Sequence, residues 1–167
     1  MRKMLKSNRA AMTLLLVGAR MLSAEEGIEK TIKDLYASAQ AAARGAQTKE
    51  DVTRALSVFA PEWVGKMPAG ETLTMADLIK EGESALTIPA EKRPLPKMDF
   101  VYIRETGWNV LVVYWNSRRL GTRIVGSLYR DTWVRTGAGW RQISREKFFP
   151  DRPLIENGKP LILPAVE

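Results

Sequence analysis

The sequence predicts an α+β fold: a cone-shaped roll of three N-terminal helices packed in a strongly curved antiparallel sheet. Apolar residues recur with a period of about 3.6 as far as Leu86 and with a period of about 2 after Lys97. Helices first and strands afterwards is the order of a single sheet carrying its helices on one face. The length, 167 residues, suits one domain with a proper core.

The first helix of the domain starts near Glu25. Ile28, Ile32, Leu35, Tyr36 and Ala39 make one apolar stripe, and Gly45 is a natural stop. Thr48 can cap a second helix, with Asp51 three residues on. Val52, Ala55, Leu56 and Phe59 form its buried face, and Pro61 ends it. "EWVGKMPAGETL" reads as a short extended piece turning at Gly70. Thr74 caps the third helix, "MADLIKEGESAL", again with an Asp three residues later. Pro89, Pro94 and Pro96 mark an exposed connection into the sheet.

"MDFVYIR", "WNVLVVYWNS", "RIVGSLYRDTWVR" and "WRQISREKFF" are rich in Val, Ile, Tyr and Trp and bounded by glycine turns, the pattern of an antiparallel meander. Long twisted strands curl and leave a conical cavity beside the helices, where a small molecule can bind. The tail, 151–167, reads as an irregular arm or a short edge strand.

The net charge of +7 is concentrated at the start. Arg2, Lys3, Lys6, Arg9 and Arg20 stand among residues 1–24 without an acid, and the remainder carries only +2. Nucleic-acid binding therefore loses its compositional argument. The hairpin tip "SRRLGTR" is basic but has no interleaved aromatics and reads as a solvated turn.

Residues 1–24 have the layout of a signal peptide: a charged region, the apolar run "AAMTLLLVGA", then small residues, with cleavage after Ala24 or Ala19. The run is about half of the ~20 residues that span a bilayer, so no stable membrane insertion is expected. The expected domain is 25–150, in a periplasmic or secreted protein, with a cytoplasmic chain as the alternative. There is no Cys and no His, which excludes thiol nucleophiles, imidazole bases and the usual zinc sites. No loop has the spacing of an Asp/Glu cation cage, and neither a metal nor a cofactor is expected.

The element order, "SVFAPEWVGKMPAG" and the ending "DTWVRTGAGWRQI" together resemble the nuclear transport factor 2-like superfamily, in its SnoaL-like and ketosteroid-isomerase-like branch. The resemblance covers residues 26–149 and implies the cone fold; its members span enzymes, adaptors and binding domains. In ketosteroid isomerases an acid eight positions before the turn glycine donates a hydrogen bond to the developing oxyanion, and Asp131 stands eight before Gly139. The general base of that family falls at Met67, whose thioether cannot take a proton. Tyr36 is what the resemblance offers for the family's hydrogen-bonding tyrosine. "WNVLVVYW" is apolar on both faces, which predicts a homodimer formed through the outer sheet face, an arrangement frequent in the superfamily the chain resembles.

Two registers are open for the last hairpin. A four-residue turn, Thr136–Gly139, sets Arg135 opposite Trp140 and puts Tyr129, Asp131 and Trp133 on one face with Gln142, Ser144, Glu146 and Phe148. Asp131 and Glu146 are then a diagonal carboxylate pair inside the cavity. A turn at Gly137–Gly139 sets Asp131 against Arg145 as an ion pair. The first register is the expected one. It gives a pocket lined by Trp63, Met67, Trp115, Tyr129, Asp131, Trp133, Glu146 and Phe148, holding a small, partly apolar molecule. The expected function is ligand binding with no complete catalytic set. The alternatives are a small lyase, hydrolase or isomerase using Asp131 with Glu146 or Tyr129, and an interaction module working through the outer face of the sheet.

Overall fold

A computed structural model describes residues 8–160, with side chains from residue 27 onward. The signal-peptide expectation, residues 1–24, falls wholly outside the residues with described side chains. Three helices, α1 (Asn8–Gly45), α2 (Lys49–Ala55) and α3 (Met75–Ala85), accompany eight strands: β1 (Phe59–Lys66), β2 (Thr72–Thr74), β3 (Lys97–Thr106), β4 (Asn109–Leu120), β5 (Arg123–Thr136), β6 (Gly139–Lys147), β7 (Arg152–Glu156) and β8 (Lys159–Pro160). No helix among the described residues is long and apolar enough to cross a membrane.

Both capping boxes form. The Asp51 carboxylate accepts from the Thr48 backbone N–H at 3.1 Å, and the Thr48 hydroxyl accepts from the Asp51 N–H at 3.2 Å. At Thr74 the Asp77 carboxylate accepts from both the backbone N–H (2.8 Å) and the hydroxyl (2.7 Å). Helix α2 is shorter than its apolar spacing predicts, because the chain passes through a 3-10 turn at Leu56–Val58 and is already extended at Phe59. Pro61, expected to end a helix, lies inside β1. Its missing N–H is tolerated because the pairing of β1 with β6 is interrupted between Phe59 and Val64.

The sheet runs β2-β1-β6-β5-β4-β3. It is mixed rather than antiparallel throughout, since β1 lies parallel to β6. Strand β6 reaches the edge of β1 only after α3 and the rest of the meander, a connection long enough for parallel pairing without a hairpin. Ile32 and Tyr36 of α1 pack on Val110, Val112, Tyr114 and Trp133, the centre of the core. Ile32 is fully buried, which contributes roughly 1.5–3 kcal/mol.

Arg93 locks the helices from outside the sheet. Its Nε donates to the carbonyls of Ala85 (3.1 Å) and Ile88 (2.9 Å), and Nη1 donates to that of Arg44 (2.9 Å), joining the C-terminal ends of α1 and α3.

As far as Pro160 the tail forms short edge strands, the second of its two expected readings, rather than an irregular arm. Strand β7 takes over from β6 along the edge of β5, pairing Gly126 with Arg152, and β8 folds back on β7. Gly126 permits this, because a Cβ there would stand 2.5 Å from the Asn116 carbonyl oxygen and 3.0 Å from Leu154 Cδ1.

Candidate functional site

The last hairpin begins in the expected register, with Thr136 opposite Gly139, Arg135 opposite Trp140 and Trp133 opposite Gln142. A bulge then intervenes: Thr132 pairs with Ser144, leaving Ile143 as the extra residue. From there Asp131 faces Arg145, Arg130 faces Glu146 and Tyr129 faces Lys147. The bulge turns Gln142 and Arg145 to the same side, although they are three apart. The expected Asp131–Glu146 pair does not exist. Glu146 bonds Arg130 on the opposite face, beside half-exposed Phe148, whose ring lies under the Arg130 guanidinium.

Asp131 is fully buried. Arg145 grips it from both sides of the guanidinium fork, Nε to Oδ1 at 3.0 Å and Nη2 to Oδ2 at 2.9 Å. The Tyr36 hydroxyl donates to Oδ2 at 2.6 Å and the Tyr114 hydroxyl to the same oxygen at 3.1 Å. Trp133 Nε1 donates in turn to the Tyr36 oxygen at 3.0 Å. Four donated hydrogen bonds therefore hold the carboxylate, three of them on Oδ2 and one on Oδ1.

Burial pushes the Tyr36 hydroxyl well above the ordinary tyrosine pKa, and the Asp131 charge adds to the rise. Tyr114 rises for the same first reason; Arg145 opposes the shift and Asp131 reinforces it. Both phenols are thus held as neutral donors. For Arg145, burial works against the charge, but Asp131 together with Tyr114 and Tyr36 outweighs it and raises the pKa. The guanidinium also sits 5.6 Å from the Tyr129 ring centre and 6.0 Å from those of Tyr114 and Phe59.

Above this network is a cavity of about 200 Å³. Tyr36, Tyr114, Trp133, Gln142 and Arg145 form its polar and aromatic side together with Asn116 and Gln40; Leu56, Val58, Phe59 and Met98 form the apolar side. Of the residues expected to line a pocket, Trp133 does so and Asp131 lies just beneath. Tyr129 shares the inner face, stacked on Tyr114 at 5.6 Å, but does not reach the cavity wall.

Trp115 points to the other face of β4 and packs on Phe149 at 5.5 Å, because its neighbour Tyr114 takes the inward position. Trp63 is buried against Phe59 at 5.6 Å and belongs to the core. Met67 lies in the β1–β2 turn, its N–H donating to the Glu71 carbonyl at 2.8 Å. Neither Trp63 nor Met67 lines the cavity. Tyr114 is the network residue that the pocket expected from the sequence leaves out, although its place on the inward face of "WNVLVVYW" made it legible. The Asp131–Arg145 ion pair was the alternative register; it forms here with the four-residue turn kept, because the Ile143 bulge turns Arg145 inward.

No family model matches the chain, and no curated protein matches it in sequence. Solved structures match its fold. A conserved protein from Planctomyces limnophilus superposes with a TM-score of 0.57 at 13% identity, over 77% of this chain and 98% of that one. An NTF2-like protein of unknown function from Pseudomonas putida gives 0.54 at 12% identity, over 85% and 98%. An NTF2-like protein with a cystatin-like fold from Novosphingobium aromaticivorans gives 0.52 at 16% identity, over 86% and 90%. The fold is thus the nuclear transport factor 2-like, cystatin-like α+β roll.

Proposed function

We propose that this protein is a small-molecule-binding domain whose ligand sits in the cavity between α1 and the curved sheet, with Asp131 as a structural anchor rather than a catalyst. The observation that carries the reading is the cavity itself: an apolar wall of Leu56, Val58, Phe59 and Met98 faces a polar wall organised by the Asp131–Arg145 pair. A hollow lined this way suits a partly apolar ligand with one polar end. Its volume, about 200 Å³, holds about seven waters at ~30 Å³ each. The ligand is therefore small, below the ~300–1,000 Å³ range of drug-sized sites.

The remaining parts of the proposal concern where the protein works and with what. The basic, then apolar N-terminus supports export to the periplasm or beyond, and N-terminal sequencing of the mature protein in its host tests it. Tyr102 and Phe148, exposed on the outer face of the sheet, support a homodimer through that face. Light scattering of the wild type and of Tyr102→Glu tests it; a wild-type monomer overturns it.

Native mass spectrometry and a fragment thermal-shift screen test the binding reading. Ala43 stands exposed on α1 at the edge of the cavity. Ala43→Trp is expected to abolish binding while the protein stays folded. Hits that survive this replacement overturn the reading, as does the absence of any hit.

A further inference from the structure

We propose that the cavity selects a small electrically neutral molecule bearing a carbonyl-type acceptor, and rejects carboxylates and amines of the same shape. This rests on the reading of the cavity as a ligand site and adds the chemical class of the ligand. Arg145 is the single charged residue among those lining the cavity, and Asp131 cancels its charge through two hydrogen bonds. An arginine in a pocket commonly signals an anionic ligand; here the counter-ion is already built in. A bound carboxylate would leave the hollow with an uncompensated negative charge, and an ammonium would leave it with a positive one. Either costs far more than burying a neutral polar group that finds its partners.

The only charged group with unspent hydrogen-bonding capacity on the cavity wall is a donor, the Arg145 guanidinium. Arg145 uses Nε and Nη2 on Asp131, and among the described residues Nη1 makes no hydrogen bond. The Tyr36 and Tyr114 hydroxyls are committed to Asp131, so neither offers its proton to a ligand. Asn116, the next inward-facing residue after Tyr114 on β4, adds an amide to the same wall. An acceptor oxygen answers the guanidinium edge and the amide, and an apolar body answers Leu56, Val58, Phe59 and Met98.

The test is a titration of the full chain with benzamide, benzoate and benzylammonium, followed by protein-observed NMR. The three share a ring and differ in charge. Benzamide is expected to perturb Trp133 and Tyr114 resonances at millimolar concentration and to bind at least tenfold more tightly than either ion. Asn116→Ala, which leaves the ion pair intact, is expected to weaken it several-fold, and Arg145→Lys, which keeps the charge but loses the fork, by tenfold or more. If Arg145→Lys fails to fold, the Asn116→Ala comparison decides alone. Tighter binding of benzoate or benzylammonium in this cavity overturns the neutral-ligand inference and leaves the cavity a binding site. If none of the three binds while fragments of another class do, the inference also falls. If nothing binds at all, the binding reading falls with it.

Discussion

Asp131 faces Arg145 across β5 and β6 because Ile143 is squeezed out of the ladder between them. Without that one-residue bulge Asp131 would face Ser144, and Arg145 would lie on the outside of the sheet. The buried ion pair, the orientation of both tyrosine hydroxyls and the polar wall of the cavity all depend on it.

Tyr36 and Tyr114 donate to the same oxygen, but Tyr36 also accepts from Trp133. Tyr36→Phe therefore strands two buried partners and Tyr114→Phe one. Chemical denaturation is expected to show a loss of roughly 2–3 kcal/mol for Tyr36→Phe and about 1 kcal/mol for Tyr114→Phe. Equal losses would show that the indole bond to Tyr36 carries no weight.

Alkaline pH should find the same two residues. An unfolded tyrosine loses its proton near the ordinary value of 10.0, whereas the folded Tyr36 and Tyr114 hold theirs to higher pH. Between those limits the native state binds more protons than the unfolded one, so stability is full below pH 10 and falls as pH rises past it. Each tyrosine steepens the fall by at most ~1.4 kcal/mol per pH unit. Urea midpoints measured from neutral to strongly alkaline pH are expected to drop steeply for the wild type and less so for Tyr36→Phe. Phenolate absorbance of the native protein should show two late-titrating tyrosines.

The acid side tests the helix caps. Backbone hydrogen bonds from Gln47 and Thr48 hold the Asp51 carboxyl below its usual range, and bonds from Thr74 do the same for Asp77. Their contribution is present above the ordinary carboxyl pKa and is lost as pH falls through the lowered folded value. Asp51→Asn and Asp77→Asn are each expected to shallow the acid limb of the stability profile. An unchanged limb would show that these boxes do not hold in solution.

Gly126 tests the tail. Gly126→Ala must push a Cβ against the Asn116 carbonyl or Leu154 Cδ1 and is expected to expose the β7 amides to hydrogen exchange while β3 and β4 stay protected. Unchanged β7 protection would show that the tail does not depend on this close approach.

The helix caps, the presence of three helices and the four long strands were legible from residue spacing, since each is a local pattern, although α1 begins at Asn8 rather than near Glu25. The parts that failed depend on distant partners. Phe59 and Pro61 join a strand because β6 offers them an edge, which the helical spacing of Val52, Ala55 and Leu56 does not reveal. Trp115 and Tyr114 are adjacent and similar, and only packing against Tyr36 and Phe100 selects which faces inward. The hairpin turn was read correctly and its consequence was not, because a bulge is invisible to alternation: Ile143 keeps the apolar-polar pattern of "WRQIS" while shifting everything after it.

A double-mutant cycle on Asp131 and Arg145 tests the anchoring role of Asp131 most directly. Arg145→Met leaves a carboxylate with no exposed surface facing a neutral side chain and is expected to cost about 3–5 kcal/mol. At roughly 2–4 °C per kcal/mol, that lowers Tm by about 6–20 °C. Asp131→Asn in the same chain removes the second charge while keeping an oxygen for the two tyrosines, so the double variant should recover much of the loss. A coupling energy of about 2 kcal/mol or more between the two sites is the expected result. Losses that simply add, to within ~0.5 kcal/mol, would show that the two residues do not act as a pair and would contradict the structural role assigned to Asp131.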